Sequence, residues 1–156
     1  MTKLLLFVLS HTVAAIVGFA LGIYMLPLLT QPEPPSLAEL RSHAATAQFQ
    51  GRFRRDLPGS DFLHWGDGVL TVGPRAVSLL GELAPGPDYK LYLSPEFVAT
   101  EAEFQAVKER AVRLGDVRTF TNFIVPVPDS VDLARYNTVV VWCESFAQFI
   151  TAAQYR

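Results

Sequence analysis

Cysteine occurs once in this 156-residue chain, at Cys143, closing the run Val139-Val140-Val141-Trp142-Cys143. A lone thiol forms no intramolecular disulfide and completes no multi-cysteine metal motif. Two chemistries remain: a redox-active sulfur, or a soft ligand to iron or another prosthetic group. Packing is the alternative, because free cysteine is among the most buried residue types. Apolar surroundings and the adjacent Glu144 would both raise the thiol's pKa, which argues against a generic nucleophile. The second candidate is His64, in Asp61-Phe62-Leu63-His64-Trp65-Gly66. Its imidazole can ligate a metal or haem, tune a nearby thiol, or simply hydrogen-bond to its own loop. The usual enzymatic constellations are missing: there is no phosphate-binding glycine loop followed by Lys, no metalloprotease His pair and no CxxC. Gly66 and Gly68 begin a GxGxxG-like run, but Thr71 stands where the third glycine belongs.

Both candidates fall in a region of short β-type runs punctuated by glycine and proline. Strands are expected at 49–54, 69–72, 76–80, 89–93, 112–114, 122–125, 139–143 and 146–150, a spacing that suits a sandwich or small barrel. Alternation along the last strand but one places Val139, Val141 and Cys143 on one face and Val140 with Trp142 on the other. Gly66-Asp67-Gly68 reads as a tight turn. Thr100 with Glu103 forms a capping box ahead of Phe104 and Val107 at helical spacing, and residues 129–137 read as a loop with one helical turn. The fold class is therefore mainly β: an N-terminal transmembrane helix, then a compact antiparallel β-sandwich or small barrel with short helical insertions.

Charge defines the rest. The chain carries 13 Lys and Arg against 15 Asp and Glu, yet none of these falls between Lys3 and Glu33. The stretch from Leu4 to Leu29 is 26 residues long with 20 of them apolar, longer than the roughly 20 residues that a spanning helix needs. Gly18-Phe19-Ala20 would suit a signal-peptidase site, but the apolar run continues past it, so an uncleaved signal-anchor over residues 1–30 is the preferred expectation. Lys3 on one flank and Glu33 on the other place the C-terminal part outside, in a periplasm or at the cell surface, as a single-pass membrane protein. Ala14, Gly18 and Gly22, four apart, could let two such helices pair as a homodimer. His11, inside the span, has the hydroxyl neighbours Ser10 and Thr12 and reads as structural. Residues 31–48 form a Pro-rich spacer and a short helix capped by Ser36 and Glu39, expected to run to about Ala47 and to hold the domain off the bilayer. Residues 49–156 form the outer domain. A net charge of −2 without blocks of one sign excludes a nucleic-acid surface.

Several segments in order resemble one family. Gly51-Arg52-Phe53, then His64-Trp65-Gly66-Asp67-Gly68-Val69, then Gly86-Pro87-Asp88-Tyr89-Lys90-Leu91-Tyr92-Leu93-Ser94 are similar to the opening half of the DM-thirteen domain, which is often found with DOMON domains. Val125-Pro126, Val131-Asp132-Leu133 and Tyr136 to Cys143 with Phe146 are similar to its second half, so the likeness spans about residues 51–153. The resemblance implies a compact extracytoplasmic β domain with an electron-transfer role, possessing a cysteine at Cys143 that serves as a naked thiol or holds a prosthetic group such as haem. It places the family's histidine at His64 and makes Trp142 and Trp65 candidates for a cofactor pocket. The chain departs from the family pattern in a longer Ala99 to Arg113 insertion and in Thr119-Phe120-Thr121-Asn122-Phe123. An envelope redox protein is the partner this reading implies. The competing reading is a non-catalytic envelope binding or assembly module with Cys143 as buried core, and an enzyme assembled from separate strands is a third.

Overall fold

The computed structural model describes residues 2–156. A 29-residue helix, α1 (Thr2–Thr30), leads into a short helix, α2 (Leu37–Ala44), and then eight strands. These are β1 (Phe49–Phe53), β2 (Gly66–Val72), β3 (Ala76–Leu83), β4 (Tyr89–Ser94), β5 (Val112–Val117), β6 (Thr121–Pro126), β7 (Thr138–Cys143) and β8 (Gln148–Gln154), with α3 (Glu101–Val107) between β4 and β5. Two four-stranded antiparallel sheets form, in the orders β1-β2-β3-β6 and β5-β4-β7-β8. The architecture is a sandwich with its edges near one another rather than a closed barrel.

Every expected strand is present. Alternation on β7 also holds: Val139, Val141 and Cys143 face the core between the sheets, with Leu70, Leu79, Leu91 and Ile150. Val140 and Trp142 face outward. That outer face would be wet in an open sandwich, but the Ala99 to Arg113 insertion folds over it. Thr100 caps α3 by accepting from the Glu103 N–H, while the Glu103 carboxylate reaches back to the Ala99 N–H at 2.7 Å. Phe104 then packs against Trp142, ring centroids 5.1 Å apart, and closes a second apolar cluster with Tyr92, Val140 and Phe149.

Three local expectations are corrected. Gly66-Asp67-Gly68 is not a turn but the start of β2, and the β2–β3 reversal lies at Gly73, whose N–H donates to the Ala76 carbonyl at 2.9 Å. The glycines serve a close crossing of strands instead: Gly68, at φ +139°, lies directly opposite Gly81. A Cβ on Gly81 would sit 2.1 Å from the Asp67 carbonyl oxygen. Phe146 likewise belongs to the β7–β8 turn, where Ala147 takes φ 49°, so β8 begins two residues later than expected. The capping box at Ser36 and Glu39 is complete, but α2 ends at Ala44 and lies on the domain, with Leu40 buried over β2 and β3. Beneath it the cross-strand hydroxyls of Thr71 and Ser78 satisfy each other at 2.6 Å.

By length and composition α1 can cross a membrane. Its C-terminal end is tied to the domain: Leu28 packs on the inner core, and Gln31 accepts a hydrogen bond from the Phe120 N–H. The His11 Nδ1–H reaches the Phe7 carbonyl at 2.8 Å, the structural role expected of it. Among the described residues, nothing beyond the helix's own backbone lies within 4 Å of a Cβ position at Gly18 or Gly22.

The glycine crossing makes a stability prediction. Gly81→Ala should cost about 3 kcal/mol, because the new methyl meets backbone that cannot turn aside. Gly115→Ala meets only a Val125 methyl, at 3.2 Å, and should cost clearly less; urea unfolding of the full chain in detergent compares the two.

Candidate functional site

Strand β7 carries Cys143 to one end of its sheet, paired with Tyr89 of β4 on one side and Gln148 of β8 on the other. The side chain is 2 % exposed. Burial pushes the thiol's pKa up, and the carboxylate of Asp88 adds to the rise. Backbone N–H groups of Phe146, Asp88 and Ser145 pull the other way without reversing it. The charge beside the sulfur is thus Asp88 and not, as expected from sequence, Glu144. Strand alternation turns Glu144 to the opposite side, where Tyr92 Oη donates to one carboxylate oxygen and Lys108 Nζ lies 2.6 Å from the other. Burial would raise the Glu144 pKa, but those two hydrogen bonds outweigh it and hold the carboxyl below its usual value.

His64 reaches the same place from the loop ahead of β2. Asp61 builds that loop: its Oδ1 accepts from the backbone N–H of Leu63 at 2.7 Å and of His64 at 2.8 Å. Its Oδ2 lies 2.9 Å from His64 Nδ1. The hydrogen bond from His64 is the chief cause of a lowered Asp61 pKa. An ionised carboxylate only accepts, so Nδ1 donates to it and Nε2 is the ring nitrogen left uncommitted. Orienting one imidazole nitrogen with a carboxylate is how proteins prepare the other as a ligand.

Cys143 and His64 both line a cleft of about 810 Å³. Its walls are otherwise mainly apolar: Tyr89, Phe146, Leu63 and the Pro85-Gly86-Pro87 corner on the domain, and Ile16 to Tyr24 of α1 opposite. Tyr89 is fixed from three directions. Its ring meets Phe120 edge-on at 5.9 Å, its strand pairs with Cys143, and a Cβ on Gly86 would lie 2.4 Å from its hydroxyl. Burial, then the neighbouring thiol, hold its hydroxyl well above the usual phenol range. A smaller cleft of about 260 Å³ shares Tyr89 and is polar, edged by Lys90 with Asp88 at 2.7 Å and Asp116 at 2.9 Å.

The two tryptophans are elsewhere. Trp142 lies on the outer face of its sheet under α3, its Nε1 without a hydrogen-bond partner and Lys108 Nζ 5.2 Å from its ring centroid. Trp65 lies beneath the Arg55 guanidinium, 3.3 Å from ring centroid to Cζ. Neither lines the cleft. Residues that sequence spacing did not single out are Asp61, Tyr89 and Gly86; the Asp61-x-x-His64 spacing of a side-chain turn was the one available signal.

Among the described residues no three His, Cys, Asp or Glu side chains converge. The chain therefore offers one thiol and one prepared imidazole instead of a closed cage for a bare ion. That donor set fits a group bringing most of its own ligands, such as haem, which asks the protein for axial donors and an apolar pocket.

The two-sheet β domain thus places one buried sulfur and one imidazole on the lining of a single cleft. The family model described as Electron transfer DM13 matches residues 49–155, and the chain belongs to that family. Comparison with curated proteins and with solved structures gave no match. Within the family's span, the departing segment 119–123 lies directly behind Tyr89, through Phe120, and so shapes this chain's cleft.

Two outcomes follow. Iodoacetamide should modify Cys143 at pH 7.5 at least tenfold more slowly in the folded chain than after unfolding, with the folded rate rising only above the usual thiol range. Because the folded pKa is the higher one, the thiol's contribution to stability is intact below its unfolded pKa, about 8.5. It is lost as pH climbs from there through the folded value. Gly86→Ala should displace the Tyr89 ring and raise that labelling rate at constant pH, read by mass spectrometry.

Proposed function

We propose that this chain is a membrane-anchored extracytoplasmic electron-transfer module in which Cys143 and His64 hold a redox prosthetic group. The carrying observation is that a sulfur and a carboxylate-oriented imidazole, 79 residues apart in sequence, line one mainly apolar cleft. Membership of an electron-transfer family supports the same reading. The length and apolarity of α1, with Lys3 in its first turn and Glu33 after its end, support the anchor and its orientation. On this reading residues 1–30 are the anchor, residues 31–48 the connection, and the outer domain follows; the partner is an envelope redox protein. The small-residue stripe Ala14, Gly18 and Gly22 lies on a different side of α1 from the cleft wall and is free to pair with a second copy.

The geometry favours Cys143 as a ligand over Cys143 as a free redox thiol. Burial keeps the sulfur protonated and shields it from solution oxidants, whereas a metal centre displaces the thiol proton on binding. The amide N–H groups around the sulfur would then stabilise the charge left on it. Asp61 holds the His64 ring with Nε2 available, and Tyr89 and Phe146 help keep water from the cleft. A bound haem would supply reversible one-electron chemistry, with His64 and Cys143 as its protein donors.

Full-length protein purified from its native membrane should show a visible absorption spectrum that changes on reduction with dithionite. Cys143→Ser and His64→Ala should each shift or abolish that spectrum, while Trp65→Phe should leave it unchanged. Protein that is colourless and free of redox metal would leave this reading without support.

A further inference from the structure

One wall of the cleft beside Cys143 is made by the middle of α1. Ile16, Val17, Ala20, Leu21, Ile23 and Tyr24 of α1 face the domain across it. A hydrocarbon core of about 30 Å takes roughly 20 helical residues, and 20 residues counted from Leu4 end at Ile23. On that count Ile16 to Ile23 fall in the outer half of the span and Tyr24 just past its end. The domain's own contribution to the rim is also unusual for a water-facing surface. Phe62 is 86 % exposed, Phe146 57 % and Leu63 42 %, and all three lie in the two loops that flank the cleft. Exposed large apolar side chains on two loops that border one cleft are the composition of a contact surface. Here the contact is continuous with a helix that already lies in lipid on the reading above.

We infer that the Phe62-Leu63 and Phe146 loops are seated in the outer leaflet of the bilayer, so that the Cys143 cleft opens into lipid and not into the aqueous compartment. The inference rests on the anchor reading of α1 but not on the redox reading of Cys143. The occupant of the rim is phospholipid. Aromatic side chains at the headgroup boundary gain by burying their rings there, and the charged groups near the cleft are each engaged: Asp61 with His64, Asp88 and Asp116 with Lys90. Whatever enters the cleft must then partition into the bilayer first, which selects for lipid-soluble molecules and against hydrophilic ones.

The test uses the full chain in phosphatidylcholine vesicles, in a Cys143→Ala background, with a nitroxide attached in turn at Phe62→Cys, Phe146→Cys and Phe97→Cys. Phe97 is 44 % exposed but follows the far end of β4, away from the cleft. Flotation with the vesicles after carbonate washing establishes the anchor separately. Power saturation should then show the labels at 62 and 146 accessible to oxygen and at least fivefold less accessible to a water-soluble nickel chelate than the label at 97. Equal nickel accessibility at all three sites in protein that floats overturns the seating and leaves the anchor standing. Protein that fails to float overturns both. Amide hydrogen exchange of the unsubstituted chain gives a check that needs no mutation: residues 61–65 and 144–147 should exchange more slowly in vesicles than in detergent monomers, and no difference argues against the seating.

Discussion

Strand β7 has no side that faces water. It is hydrogen-bonded to β4 along one edge and β8 along the other, its inner face meets the opposite sheet, and its outer face lies beneath α3 and the Leu57 loop. All six of its residues are buried as a result. Such a strand can carry only apolar side chains or polar ones whose partners are supplied locally. Three valines meet the first condition, Thr138, donating to Asn137 at 2.7 Å, meets the second, and Trp142, whose Nε1 is buried without a partner, departs from it. The cysteine is the strand's last residue. It keeps the burial of the strand while lying where the chain turns and backbone N–H groups become free to approach the sulfur.

Charge is arranged around that end without entering it. Glu144 leads away to Lys108 and Tyr92, and Asp88 is held by Lys90 and Ser145. Asp116 collects Lys90, Arg118 and Arg113, which together, Lys90 first, hold its carboxyl far below the ordinary range. Most of these pairs are solvent-exposed and contribute little to stability individually. Lys90, with a side chain only 14 % exposed, is the exception and draws the β4 and β5 ends together through its two carboxylates. The sulfur therefore feels burial and amide dipoles more than any formal charge other than Asp88.

The strands and the facing of β7 were legible because hydrophobic periodicity is a local property, and the capped helices because Ser-x-x-Glu and Thr-x-x-Glu state their own geometry. That Cys143 and His64 both belong to one site was suggested only by family likeness, since nothing local relates residues 79 apart; the structure places both on one cleft. Misreadings share a cause. Gly66-Asp67-Gly68 carries turn chemistry, yet the close crossing with Gly81 requires the same absence of a Cβ, and only tertiary structure separates the two uses. Trp142 follows the same logic: adjacency to Cys143 in sequence means opposite faces on a strand, and an insertion folded over that face completed the separation. Asp61 was hidden for the contrary reason, because its role is to shape its own loop.

The ladders on either side of β7 also bear on how an electron would arrive and leave. Moving Cys143 requires slipping the strand against both β4 and β8, with Val139 to Trp142 wedged between two apolar clusters. On the proposed reading, a donor atom mounted there would stay in place when the charge of the group it holds changes, with the surrounding dipoles already set by backbone. The part of the activation barrier that comes from nuclei rearranging after the electron has moved is then small on the protein's side. Exchange would be governed instead by how closely a partner can approach the cleft.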